Sequence, residues 1–347
     1  MGNFLRVFLF LFLFLFPLTL ISLSGSAAEP RSRADLKRDF VRPASIPFPA
    51  DNPYDAEKAH LGQMLFFDPR LSGSKWISCA SCHNPSLSWG DGLPKGIGQG
   101  MKTLGRRTPT ILNLAWADLV MWDGRKTGLE DQAFGPVTSA AEMNGTIEEA
   151  VTRISAIGAY QTEFRKVFGD EGVSAHTIPL AIATYERTIV SGKAPFDRWI
   201  DGDETAISDE AKHGFDLFNG KANCAACHSG WNLTDNGFHD IGLPDADIGR
   251  GEWLKLQSMQ QAFKTPTLRD ADRRGPFMHD GSLATLAEVV DHYDRGGIVR
   301  PSLSDEMRPL HLTGDEKRAL LAFLATLTGD DVPVTLPTLP NPQAASR

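Results

Sequence analysis

Cysteine is scarce in this sequence, with four residues in 347. Basic charge is not in surplus either, since 35 Lys and Arg stand against 43 Asp and Glu, a net charge of -8. No long stretch alternates polar and apolar residues as a half-buried strand would. The missing basic excess excludes an electrostatic nucleic-acid partner. The missing alternation excludes a sheet-built fold. With four cysteines a disulfide framework could hold two bridges at most, and the cysteine spacing argues against even those.

The N-terminus differs in composition from the rest. Met1 to Arg6 carries one basic residue, and Val7 to Leu23 is almost wholly apolar. The small residues Ser26-Ala27-Ala28 follow. This pattern reads as a secretory signal over residues 1–28, cleaved after Ala28, and so predicts a periplasmic protein. An uncleaved segment would instead anchor the chain, although 17 apolar residues sit at the short limit for a membrane span. Residues 29–50 are polar and Pro-rich and read as an extended arm.

All four cysteines fall in two copies of one pattern, Cys79-Ala-Ser-Cys82-His83 and Cys224-Ala-Ala-Cys227-His228. Two residues between thiols set them to add across the two vinyl groups of one haem. The next residue, His, then lies under the iron as its proximal ligand. Redox disulfides or a four-Cys zinc site would also use CxxC pairs, but neither needs a His after each pair. With 9 His in the chain, both positions would hold His by chance about once in a thousand. The motifs therefore predict two covalently bound haem c groups, with Cys79, Cys82, Cys224 and Cys227 as attachment points and His83 and His228 as axial ligands.

The surroundings repeat as well. Gly62-Gln-Met-Leu65-Phe66 precedes the first motif and Gly214-Phe-Asp-Leu217-Phe218 the second. Leu61, Met64 and Leu65 share a helical face, as do Phe215 and Phe218. Ser208 is the expected N-cap of the second of these helices. A second helix in each half carries an apolar stripe: Ile178, Ala181, Ile182, Tyr185 and Ile189, then Leu320, Phe323, Leu324 and Leu327 behind a Thr313–Glu316 capping box. The fold class expected is mainly α, two tandem cytochrome c-like helical haem domains over 51–195 and 205–330, with a tail over 331–347.

The ordered segments FFDPRLSG, CASCHNP, GRRTPTILN, MWDGR, CAACHSG and PFMHDGSLATLAEVVDHYDRGG together resemble the bacterial dihaem cytochrome c peroxidase and MauG family, over about residues 50–330. The resemblance implies that the first haem reacts with hydrogen peroxide and the second stores or relays electrons. It matches Trp122 to an aromatic between the haems. It matches Gln132, Pro136 and Glu142 to the pocket above the peroxide-binding iron. Glu142 would then shuttle the proton that heterolytic O–O cleavage requires, Gln132 would orient peroxide and Pro136 would shape the pocket.

Three departures from the peroxidase pattern stand out. Gln99 occupies the neighbourhood where many of these peroxidases carry a capping His, and no His occurs between His83 and His176. Amides are poor iron ligands, so the first iron is expected to be open. Tyr293 stands where the peroxidases place a Met as sixth ligand of the second haem, as in MauG-type proteins. A phenolate lowers the potential relative to a thioether. Met278 is the next candidate, and His279 and His292 lie nearby. Finally, the family commonly binds calcium between the haems through an Asn side chain and two carbonyls. Here Arg107 replaces that Asn, the carbonyls belong to Arg274 and Pro276, and Asn113 is the substitute amide.

These departures point to a MauG-type enzyme. Such an enzyme uses peroxide-derived oxidising equivalents, as a bis-Fe(IV) state, to complete tryptophan tryptophylquinone in the methylamine dehydrogenase precursor. A protein substrate cannot enter a haem pocket, so Trp199 and Trp231 are candidate relays. The alternatives are a peroxidase fed by a small cytochrome c or cupredoxin, and a dihaem electron carrier without catalysis.

Overall fold

The computed structural model describes Gly2, residues 31–330 and residues 332–341. Apart from Gly2, the expected signal segment lies outside the described residues. From Arg33 onward the described chain forms one compact unit. It is mainly helical, with a single antiparallel pair of two-residue strands, β1 (Phe238–His239) and β2 (Phe263–Lys264). Among the described residues no helix is long and apolar enough to cross a membrane.

Two helix pairs organise the two cores. In the first half, α1 (Ala56–Phe67) packs on α2 (Thr177–Arg187). In the second half, α3 (Asp209–Asn219) packs on α4 (Gly314–Ala325). The repeated glycines set both crossings. A Cβ on Gly62 would stand 1.9 Å from the Ala181 carbonyl oxygen, and one on Gly214 would stand 2.0 Å from that of Ala319. No side chain fits at either point, so the helices approach backbone to backbone.

The expected caps form. Ser208 accepts from the Ala211 amide, and Thr313 and Glu316 close a capping box at α4. Leu61, Met64, Leu65, Ile178, Ala181 and Ile182 meet in the first core. Phe215, Phe218, Leu320, Phe323, Leu324 and Leu327 meet in the second, with Phe196 and Trp199 from the short helix Pro195–Ile200.

The arm departs from expectation. Arg33–Lys37 is helical and Arg38–Phe40 forms a 3-10 turn, so it is not extended throughout. Phe40 drives this, because its ring inserts edge-on against Phe196 and Phe215 in the second core. The tail is also docked. The Thr335 carbonyl accepts from Gln63 Nε2, the Pro340 carbonyl accepts from Arg70 Nη1, and Leu339 packs on the first core.

Candidate active site between two haem-binding motifs

The first motif forms one helical turn, Cys79–Cys82, starting after Ser78. The His83 amide closes the turn on the Cys79 carbonyl at 2.9 Å. A tight loop follows in which Ser88 and Trp89 both take positive φ. It turns the Trp89 carbonyl back to accept from His83 Nδ1 at 3.2 Å. The second motif repeats the device. The His228 amide bonds the Cys224 carbonyl at 2.9 Å, and His228 Nδ1 donates to the Leu233 carbonyl at 2.9 Å. Tying Nδ1 to a carbonyl fixes the tautomer and leaves Nε2 free as a metal ligand. Burial lowers both imidazoles below the ordinary histidine range, which keeps them neutral.

All four cysteines are unpaired. Burial pushes the Cys82 thiol up to about 11 and the Cys224 thiol up to about 12. Protonated thiols in an apolar setting suit thioether formation rather than thiolate coordination. Among the described residues the only compact group of three metal-type side chains is Cys227, Asp235 and His239, so the four cysteines make no zinc cluster. His239 is pushed up to about 10, by its bond to Asp235 first and then by Cys227.

One continuous cavity of about 680 Å³ is lined by Cys79, Cys82 and His83 at one end and by Cys224, Cys227 and His228 at the other. Free thiols, a free imidazole Nε2 at each end and an apolar wall are what a covalently held haem requires. The residues present fit that group.

Gln132, Pro136 and Glu142 all line this cavity. Gln132 ends the helix Leu129–Gln132, and Pro136 sits one turn on, in the helix Phe134–Thr138. Buried Leu129 and Ala133 line the cavity beside them, while Val137 packs into the first core behind. Glu142 follows on a turn closed by its amide on the Ser139 carbonyl at 3.1 Å. Its carboxyl makes no hydrogen bond within the described residues. Gln99 does not line the cavity, and its Oε1 is buried without a partner. Its backbone N–H donates to the Glu142 carbonyl at 2.8 Å and to the Ala141 carbonyl at 3.0 Å.

Trp122 also lines the cavity. Its Nε1 donates to the Arg107 carbonyl at 2.8 Å, and its own carbonyl accepts from the Lys264 amide at 2.8 Å. Its ring meets His279 edge-on at 6.4 Å.

At the second motif, Tyr293 lies on the helix Leu286–Arg295 and lines the cavity. Burial raises its phenol, followed by Cys227 and Cys224. Its hydroxyl has no hydrogen-bond partner among the described residues. The rivals differ. His279 Nε2 is bonded to Asp245 at 2.7 Å and its ring is stacked on Phe263. His292 Nε2 donates to the Ile241 carbonyl at 2.8 Å. Met278 lines the cavity as well.

The expected calcium ligands do not fit an ion. The Arg107 guanidinium donates to the Arg274 carbonyl, one of the two oxygens calcium would need. Asn113 is occupied elsewhere. Its Nδ2 donates to Ser191 Oγ and Asn232 Oδ1, and its Oδ1 accepts from the Ser191 amide. Gly275–Pro276 is a cis peptide bond beside this point.

Of the two candidate relays, Trp199 is fully buried in the second core, with its Nε1 on Glu204. Trp231 is half-buried and lies edge-on to Trp116 at 4.7 Å.

Three features went unread in the sequence. Glu186 lines the cavity with Oε2 buried and unpartnered, and burial pushes its carboxyl up to about 8. Its signal was an acid four residues after Ile182, interrupting an inward stripe. Met121 also lines the cavity, with its sulfur 3.8 Å from Gln132 Nε2. The third is an internal repeat, Thr108-Pro-Thr110 and Thr265-Pro-Thr267. Thr110 and Thr267 each donate at 2.7 Å to a carbonyl of the loop after the nearby haem motif, Ser88 and Asn232 respectively.

Residues 56–205 match the family model described as di-haem cytochrome c peroxidase. The chain is 52% identical over 317 residues to the methylamine utilization protein MauG of Methylorubrum extorquens, covering 90% of each chain. It is 48% identical to the protein of that name from Methylophilus methylotrophus, covering 88% of this chain and 92% of the relative. Its fold superposes, at a TM-score of 0.77 and 31% identity, on a crystal structure of a MauG-like protein associated with microbial copper homeostasis, covering 83% of this chain and 95% of that one. A cavity bounded by two CxxCH motifs and this degree of likeness lead to one conclusion: the chain belongs to the di-haem cytochrome c peroxidase family, carries two covalently bound haem c groups and is a haem-dependent, peroxidase-like oxidoreductase.

Proposed function

We propose that this protein is exported to the periplasm and uses hydrogen peroxide to oxidise another protein, the methylamine dehydrogenase precursor, completing its tryptophan tryptophylquinone. The observation that carries the reading is Tyr293, a half-buried phenol on the cavity wall whose hydroxyl has no hydrogen-bond partner among the described residues. Relatives at 52% and 48% identity bear names tied to methylamine utilization, which supports the substrate.

Cys79 with Cys82, and Cys224 with Cys227, would hold the two haems, and His83 and His228 would supply an imidazole to each iron. Bound haem supplies an iron that accepts peroxide and passes on its oxidising power one electron at a time. The chain's own groups do the rest. Each peroxide takes two electrons from the partner and two protons, and leaves as two waters. Glu142, free of other hydrogen bonds, carries a proton from one peroxide oxygen to the other. Gln132 Nε2 orients the peroxide, and Pro136 shapes the wall. Trp122, fixed by the Arg107 carbonyl and the Lys264 amide, holds an aromatic ring on the cavity wall. Tyr293 would offer the second haem a hard anionic oxygen donor, which would disfavour its serving as a high-potential electron donor.

The test mixes the holoprotein, peroxide and a precursor lacking the finished quinone. Quinone absorbance should appear with turnover, and it should not appear with Tyr293→Met. Fast peroxide turnover with a small cytochrome c or cupredoxin, and no quinone, would instead identify a peroxidase.

A further inference from the structure

Arg107 and Arg274 lie side by side at the middle of the cavity wall, and both are more than nine-tenths buried. Neither makes an ion pair with a carboxylate among the described residues. Arg274 spends its donors on carbonyls of Thr267, Arg269 and Asp270. Arg107 reaches across from the first half of the chain to the Arg274 carbonyl, 167 residues away in sequence. Its Nε is buried with no protein partner.

We propose that the Arg107 guanidinium is the fixed cation of this junction, doing the work of a bound metal, so that the protein takes no calcium there. Calcium needs six to eight oxygen ligands, usually including carboxylates. Here the Arg274 carbonyl is already claimed by a cation, Asn113 is bonded away, and among the described residues no carboxylate pairs with either guanidinium, Asp91 and Asp270 acting on them only at longer range. A divalent ion would also sit against two guanidiniums, whose repulsion in a buried setting outweighs one or two carbonyl contacts. The guanidinium cannot be washed out, whereas an ion can.

The same residue links the halves through its backbone. Its carbonyl holds Trp122 Nε1, and its amide donates to the His279 carbonyl at 2.7 Å. Arg107 thus ties the indole of the first half to the loop 274–279 of the second. Arg107 Nε is a buried donor without an acceptor among the described residues, and the carboxylate side chains of a bound haem would offer one. Arg107 is a positioning residue here, not a catalytic one. The inference does not depend on which protein is oxidised, so a failed quinone assay leaves it standing.

The test begins with metal analysis and melting of the two-haem protein after dialysis against a chelator. Expected are no stoichiometric calcium and no change in Tm or absorption when calcium is returned. One calcium per chain, or a Tm rise on adding calcium, overturns the proposal. Arg107→Met keeps much of the stem and deletes the charge. It should lower Tm and shift the haem absorption bands, whereas Arg107→Lys should retain most of both. A methionine variant indistinguishable from the parent in melting and spectrum would also overturn it. Arg107→Asn removes the charge and offers a carboxamide, and should gain a calcium-dependent Tm. If the neutral variants fail to fold, metal analysis of the parent still decides.

Discussion

His83 and His228 show how little sequence is needed to set up an imidazole for a metal. Each half-buried ring is held at Nδ1 by a carbonyl from its own loop, and its Nε2 has no hydrogen-bond partner among the described residues. Glu142 is the side chain whose chemistry is easiest to isolate. It lines the cavity and its carboxyl supports no neighbour, so Glu142→Gln should leave Tm within about 1 °C. The rate of reaction with peroxide, followed by stopped-flow absorbance, should fall about 10²- to 10⁴-fold, the span usual for a lost proton shuttle. A variant as fast as the parent would remove Glu142 from the mechanism. Tyr293→Met should raise the potential of the second haem in a redox titration, because a neutral thioether favours ferrous iron more than a phenolate does. These side chains were legible from spacing and resemblance. Glu186 was not, because a single acid on an apolar stripe looks like an interruption until the cavity beside it is seen.

Gly62 and Gly214 carry the same lesson for the helices. Their shared Gly-x-x-Leu-Phe pattern was visible as a repeat, but its reason lies in the partners. Each glycine touches a carbonyl of a helix more than 100 residues away in the chain, Ala181 or Ala319. Gly62→Ala and Gly214→Ala should each cost about 1–3 kcal/mol or more through overpacking, read as a fall in thermal or urea midpoint. Gly158 is the control. It opens the helix Gly158–Phe168 with nothing within 4 Å of an added Cβ, so Gly158→Ala should be neutral or stabilising by up to about 1 kcal/mol. Equal effects at all three would refute the close-approach account. The caps at Ser208 and Thr313 were readable because capping is local. The arm was misread because Phe40 finds its partners, Phe196 and Phe215, far along the chain.

The whole molecule is held across the cavity by contacts no local pattern announces. Arg106 bridges Asp123 of the first half and Asp247 of the second, at 2.6 Å to each. Burial alone would raise both carboxyls, but Arg106, helped at Asp123 by Arg125, holds them below the ordinary carboxylate range. A carboxylate depressed in the folded state stabilises it fully above the unfolded pKa, and that stability drains away as pH falls through the folded value. The protein should therefore lose stability as pH drops below about 4. Arg106→Met should lower Tm at pH 7 and flatten the dependence of Tm on pH in that acid window. An unchanged acid slope would show that the bridge carries no linkage. The fold class followed from periodicity and two motifs, whereas this bridge and the Arg107 contact rest on residues more than 140 apart in sequence.

The sharpest check on the reading as a whole is low-temperature EPR of the ferric two-haem protein. If His83 serves the first iron with no strong second side chain, and Tyr293 completes the second, one high-spin and one low-spin signal of equal weight are expected. In Tyr293→Phe the low-spin signal alone should change. Two low-spin signals in the parent protein would mean that a side chain already caps the first iron, and would contradict an open peroxide site.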